Sequence, residues 1–195
     1  MNDILINKYI TSKRFAIYDT LELYDSNLKK AKQSYIPLSV LEVSLRNSIN
    51  SLFERFYGAG WIVNEAQFLK HKEIEKIESA KDKIRKNHEE ITQDKLISEL
   101  SFGFWTALFQ SAYNDKMRTA YLKQIFPNLP PKNRELIDRK KISAKLNHIR
   151  KFRNRVFHHE NIIKDEFVNI ESEIYEILSY FDDEVCAFAK RVNNE

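Results

Sequence analysis

Pro37-Leu38-Ser39-Val40-Leu41-Glu42-Val43-Ser44-Leu45-Arg46-Asn47-Ser48-Ile49-Asn50-Ser51-Leu52 is the stretch that decides the fold class. Leu38, Leu41, Leu45, Ile49 and Leu52 recur at steps of three and four. That spacing puts them on one face of an α-helix, not on the alternating faces of a strand. Pro37 suits the first turn, where its missing N–H has no helical partner to lose. The reading is a helix that starts at Pro37 and ends at Gly58 and Gly60.

The same helical period extends outward in both directions. Upstream, Phe15, Tyr18, Leu21, Leu23 and Leu28 form a looser stripe from Ser12 to about Lys30. Downstream, Ile74, Ile77 and Ile84 make one narrow apolar seam among many charges. Thr92 is a candidate cap for a helix running through Leu96, Leu100, Phe104, Leu108 and Phe109. Gly103 inside that helix costs about 1 kcal/mol relative to alanine and suggests close approach of another helix. A short helix follows over 116–125. Phe126-Pro127-Asn128-Leu129-Pro130-Pro131 then reads as a loop, because the residue before each proline is pushed out of the helical region. Ile142, Leu146, Ile149, Phe152 and Val156 mark the next helix. Ile163 to about Arg191 reads as one long final helix.

Composition agrees with this all-α fold. The chain of 195 residues has only three glycines and four prolines, too few breakers for a many-stranded sheet. It is long enough for a single domain with a sizeable core, and no linker or repeat divides it. The one cysteine, Cys186, excludes an internal disulfide and a cysteine-rich zinc site. No window approaches the roughly 20 apolar residues of a membrane span, and no signal peptide is visible. A cytoplasmic protein without membrane partner or cofactor is the expectation.

Net charge is +4, and the excess is unevenly placed. Between Lys132 and Arg155 lie ten basic residues and only two acids, Glu135 and Asp138. Lys141, Lys145, Arg150, Lys151 and Arg155 are candidate phosphate contacts on this run. A solvated helix face is the other reading. The run leads into Arg153-Asn154-Arg155-Val156-Phe157-His158-His159-Glu160. On an ideal helix Asn154 and His158 share a face. Arg153 lies beside the apolar stripe, so its charge needs a partner, either a carboxylate or a bound phosphate. Histidine takes and gives protons near neutral pH. Arg153, Asn154 and His158 are therefore candidate catalytic residues, and His159 is an alternative to His158. No His-x-x-x-His pair is present, which argues against a dedicated metal site.

Glu42, Arg46 and Asn50 step by four beside the opening apolar face, with Asn47 next to Arg46. They either form a surface ion pair worth about 0.3–0.5 kcal/mol or enter a cleft and orient Arg153. Phe102, Phe104, Trp105 and Trp61 read as core more than as base-stacking platforms.

Three segments together, Leu41–Asn50, Glu99–Trp105 and Arg150–Glu160, resemble the Abi-like family of bacterial abortive-infection proteins, of the AbiD and AbiF type. The likeness covers roughly residues 35–181. Members of that family look like HEPN-domain proteins, and the same motif is carried by the RNA-guided Cas13 nucleases. Arg153, Asn154 and His158 match its arginine–polar–histidine signature. The resemblance implies a HEPN-like helical bundle over about 35–190 with an N-terminal helical extension over 1–34. It implies a homodimer that brings two motifs together as a metal-independent endoribonuclease in antiphage defence, or as a toxin. It also implies RNA partners, both as substrate and as a small regulatory noncoding RNA. The alternative is a catalytically silent HEPN module that binds or regulates RNA.

Overall fold

The computed structural model describes residues 3–64 and 68–194. The described residues are helical and contain no strand. Two short helices, α1 (Asp3–Tyr9) and α2 (Ser12–Phe15), lead into α3 (Leu21–Tyr57), which is 37 residues long. At 1.5 Å per residue α3 spans about 55 Å. It is followed by α4 (His71–Lys86), α5 (Gln93–Glu99), α6 (Phe102–Ala107) and α7 (Thr119–Ile125). The last three helices are α8 (Arg139–Phe157), α9 (Ile170–Phe181) and α10 (Asp183–Asn194).

α3 is the axis of the fold. It packs against α6, α7, α8, α9 and α10, while α8 and α9 also pack on each other. Leu38, Leu41, Leu45, Ile49 and Leu52 are all buried along it, as their spacing predicts. Phe102, Phe104, Trp105 and Trp61 are buried too and belong to the core. The Trp61 indole donates to Asn50 Oδ1 at 2.8 Å, so Asn50 anchors the turn after α3.

Besides the stripe from Ser12 to about Lys30, which is broken between Phe15 and Leu21, three sequence expectations need correction. First, Pro37 does not start a helix; it lies inside α3. Proline there removes one N–H bond, to the carbonyl of Gln33. Gln33 is exposed, so water can serve that carbonyl, while the buried proline ring adds to the packing. Thr20 supplies the real cap, its hydroxyl accepting from Leu23 N at 3.2 Å.

Second, the helix expected from Thr92 through Phe109 is two helices. Thr92 does cap α5, accepting from Lys95 N at 3.3 Å. Leu100 and Ser101 are extended, and α6 starts afresh. Gly103 lies in the first turn of α6, and a Cβ there would meet Arg150 Cδ at 3.7 Å. That is ordinary contact, so no unusually close helix approach demands glycine.

Third, the long final helix is broken. A 3-10 turn covers Asp165–Phe167, and α9 stops at an extended Asp182. The Asp182 carboxylate accepts from Glu184 N at 2.7 Å and so caps α10.

Candidate active site at the end of α8

α8 begins with a capped turn, Asp138 accepting from Lys141 N at 2.8 Å. It ends in the motif. His158 is the last half-helical residue, with φ −93° and ψ 7°. His159 follows in the left-handed region at φ 56°. Glu160 N donates to Arg155 O at 2.8 Å and His159 N to Val156 O at 3.1 Å. This pair of backward bonds is a Schellman stop, which requires one left-handed residue after the cap. α4 ends the same way, with His88 at φ 57° and Glu89 N bonded to Ile84 O at 3.1 Å. The backbone of His159 is thus explained by helix termination.

Arg153 is held from two sides. Its Nε and Nη2 donate to Glu42 Oε2 at 3.3 and 3.2 Å. The Phe157 ring lies 4.2 Å from its Cζ, a cation–π contact. Phe157 in turn meets Tyr35 with ring centroids 5.7 Å apart. Arg153 and Glu42 are only partly buried, at 23% and 19% exposure. Nη1 makes no bond with Glu42, so its two N–H groups stay outside that pair. The polar strip on α3 therefore turns Glu42 toward Arg153, in preference to an ion pair with Arg46.

The His158 ring is exposed and has no hydrogen-bond or ionic partner among the described residues. Asn154 is half-buried on the preceding turn, and its side chain is likewise without a partner among them. Arg155 pairs with Glu160 at 2.9 Å. Cations at the C-terminal end of a helix are favoured by its dipole, which suits both arginines.

Two residues not singled out from sequence fix the loop that follows. Asn27 of α3 is buried; it accepts from Ile162 N at 2.8 Å and donates to Glu160 O at 3.4 Å. Arg14 of α2 donates from Nη2 to the carbonyl of His159. Beside it, burial pushes the Tyr18 phenol upward against the pull of Arg14. Asn27 had a signal in the sequence. Counted back from Leu45, Leu41 and Leu38 at helical steps, the stripe reaches Ala31 and then Asn27. A polar residue on such a stripe needs a partner.

The remaining candidates are dispersed. Lys141 pairs with Glu135 at 3.2 Å and Lys145 with Glu176 at 2.5 Å, so both are engaged within the fold. Arg150 makes a long contact of 3.5 Å to Asn147, and Lys151 is exposed. Asn47 lines a separate cleft with Ser44, Arg55 and Gln124, away from Arg153. Arg46 has a buried Nε without a hydrogen-bond partner among the described residues. Among the described residues no three His, Cys, Asp or Glu side chains gather as metal ligands. No described helix is long and apolar enough to cross a membrane.

Fold and site together define an all-helical protein with an arginine, an asparagine and a histidine at the end of one helix. Compared with protein-family models, with curated proteins and with solved structures, the chain matches none of them.

Proposed function

We propose that this chain is a metal-independent endoribonuclease of the HEPN type, acting as a homodimer in antiphage defence or as a toxin. The observation that carries the reading is the end of α8: an arginine oriented by Glu42 and Phe157 and, five residues on, an exposed histidine without a side-chain partner among the described residues. The likeness of three sequence segments to the Abi-like family supports it.

The chemistry follows from the residue types. A neutral imidazole of His158 takes the proton of an RNA 2'-hydroxyl, and the 2'-oxygen attacks the adjacent phosphorus. The bond to the 5'-oxygen breaks, and that oxygen receives a proton from a second, protonated imidazole, the His158 imidazolium of the other copy, which becomes neutral. The products are a 2',3'-cyclic phosphate and a free 5'-hydroxyl. Arg153 meets the charge that builds on the non-bridging oxygens, using the donor Glu42 leaves open. On this reading Asn154 donates an amide N–H to the same phosphate.

Purified protein incubated with end-labelled single-stranded RNA in EDTA is expected to yield 2',3'-cyclic phosphate ends. His158→Ala is expected to lower cleavage by at least about 100-fold, the lower range of general acid–base contributions. Undiminished cleavage by His158→Ala defeats the assignment. The Arg153–Glu42 pair favours one second reading, a silent RNA-binding module whose arginine is neutralised inside the fold. That reading predicts salt-sensitive RNA retention with no cleavage in any condition.

A further inference from the structure

A cleft of about 700 Å³ lies beside the motif, between α1, α2 and the first turns of α3. His159, Arg14, Lys13, Tyr9, Ile17 and Leu28 are among its lining residues. We infer that it is a subsite for one unpaired nucleotide of an RNA strand, flanking the phosphate at Arg153 and His158. The inference rests on the ribonuclease reading and names where its substrate extends.

The cleft joins the motif covalently and through a hydrogen bond. His159 follows His158 in the chain, and its carbonyl accepts from Arg14, whose remaining N–H groups stay with the cleft. A strand whose phosphate sits at His158 thus meets Arg14 and Lys13 next. Among the described residues the lining contains two cations and a histidine but no carboxylate. Lys8 adds a third cation on the same rim, its Nζ 5.1 Å from the centre of the Tyr9 ring. Such a set attracts a polyanion.

The apolar part of the lining is open to solvent. Tyr9 is 68% exposed, Ile17 60% and Leu28 48%, although folding usually hides side chains of this kind. Basic residues interleaved with exposed aromatic and aliphatic surface are how proteins hold single strands. Phosphates follow the cations while bases lie on the apolar faces. A paired base has no free face to offer, so the occupant is single-stranded. The volume is within the ~300–1,000 Å³ of small-molecule sites, enough for one nucleotide and not for a folded partner.

Thr11, also in the lining, has φ 72°. A β-branched residue with this backbone costs about 1–3 kcal/mol. Its hydroxyl caps α2 by accepting from Arg14 N at 3.4 Å, so the strained turn sets the start of the helix that carries Lys13 and Arg14.

The test uses the whole chain and a fluorescein-labelled single-stranded oligonucleotide with 2'-O-methyl sugars, which cannot be cleaved. Tyr9→Ala and Lys13→Ala alter exposed side chains, and thermal melts check that both variants fold as wild type. Each is expected to weaken binding by about five-fold or more, the low end for loss of one base–aromatic stack. A version carrying 5-iodouracil is expected to crosslink to the peptide containing Tyr9 or to that containing Tyr24, which also lines the cleft. If wild type cleaves RNA in a His158-dependent way while both variants bind normally and crosslinks map elsewhere, the subsite falls and the ribonuclease reading stands. If wild type binds without cutting and the variants bind worse, the subsite stands and the ribonuclease reading falls. No RNA binding by wild type overturns both. So, for the subsite, does a Tyr9→Ala variant that changes only the sedimentation of the free protein, because the cleft then belongs to a second copy.

Discussion

Arg153 and His158 are five residues apart and are prepared in opposite ways. The guanidinium is gripped along one edge by Glu42 and on one face by Phe157, so its orientation is set before any ligand arrives. The imidazole of His158 is left to solvent. A cation that stabilises charge gains from being fixed, whereas a group that exchanges protons gains from access to the reacting atoms and water. His159 differs from both. Its left-handed backbone is demanded by the helix stop, and histidine fills a place where glycine is the easier residue. His88 occupies the equivalent place after α4. Replacing either residue by glycine is expected to raise stability by about 0.5–1 kcal/mol, a rise in Tm of about 1–4 °C. Thermal melts of His88→Gly and His159→Gly compare them directly. A gain at 88 with a loss at 159 means that the His159 ring holds part of the fold, and the helix-stop account is then incomplete.

At the scale of elements, the apolar stripes were legible and the breaks were not. Periodicity located α8 and the buried face of α3 because burial along a helix repeats every three or four residues. It failed at Pro37, where local proline chemistry pointed to a helix start and tertiary packing on several neighbours carried the helix through. It failed again at Asp182, whose carboxylate starts a new helix in the middle of an unbroken apolar pattern. The first miss hid Asn27, since a helix begun at Pro37 cannot place it on the buried stripe. Asn27→Ala is expected to cost about 1–3 kcal/mol, because the Ile162 N–H is left buried without an acceptor. Urea unfolding measures that loss, and a change under 0.5 kcal/mol would show that water replaces the amide. The candidate site divided in the same manner. The residue types at the end of α8 were visible in sequence, and so was Glu42 as one of two side chains that could orient Arg153; which of Glu42 and Arg46 does so is set by how two helices pack, and no local signal reports that.

The joint between α8 and α9 makes a prediction about acid. Burial alone raises the Glu176 carboxyl, but the hydrogen bonds from Lys145 and Tyr180 outweigh it and hold its pKa below the ordinary 4.5. A carboxyl depressed on folding contributes stability that is complete above its unfolded value and is lost as pH falls through the folded one. Glu176→Gln is therefore expected to be less stable than wild type at pH 7, with the gap closing below about pH 4.5. The side chain is 35% exposed, so solvent screening keeps the gap within about 1 kcal/mol. Unfolding midpoints across the two pH values check it, and a gap that stays constant into acid removes Glu176 as the cause.

At the scale of the whole molecule, one chain offers one His158, while the proposed cleavage uses two imidazoles. Tyr35, Val43 and Phe157 are exposed near the end of α8 and the facing part of α3, an apolar surface that supports a second copy meeting the first there. A two-fold assembly puts the same patch on both sides and so brings both motifs to one axis. Mixing exchanged subunits tests this without any structure of the pair. Let wild type and His158→Ala be mixed in equal amounts, with total protein held constant. Random pairing leaves about a quarter of the dimers wholly wild type, about half mixed and about a quarter wholly mutant. If each cut needs both imidazoles, activity falls to about a quarter of that of wild type alone; if one suffices, mixed pairs keep working and activity stays at about half or above. Initial rates of RNA cleavage after subunit exchange, confirmed by native mass spectrometry, separate the two. A value near half shows that each subunit cuts alone, and the acid must then come from the same chain, where His159 is the nearest candidate in sequence.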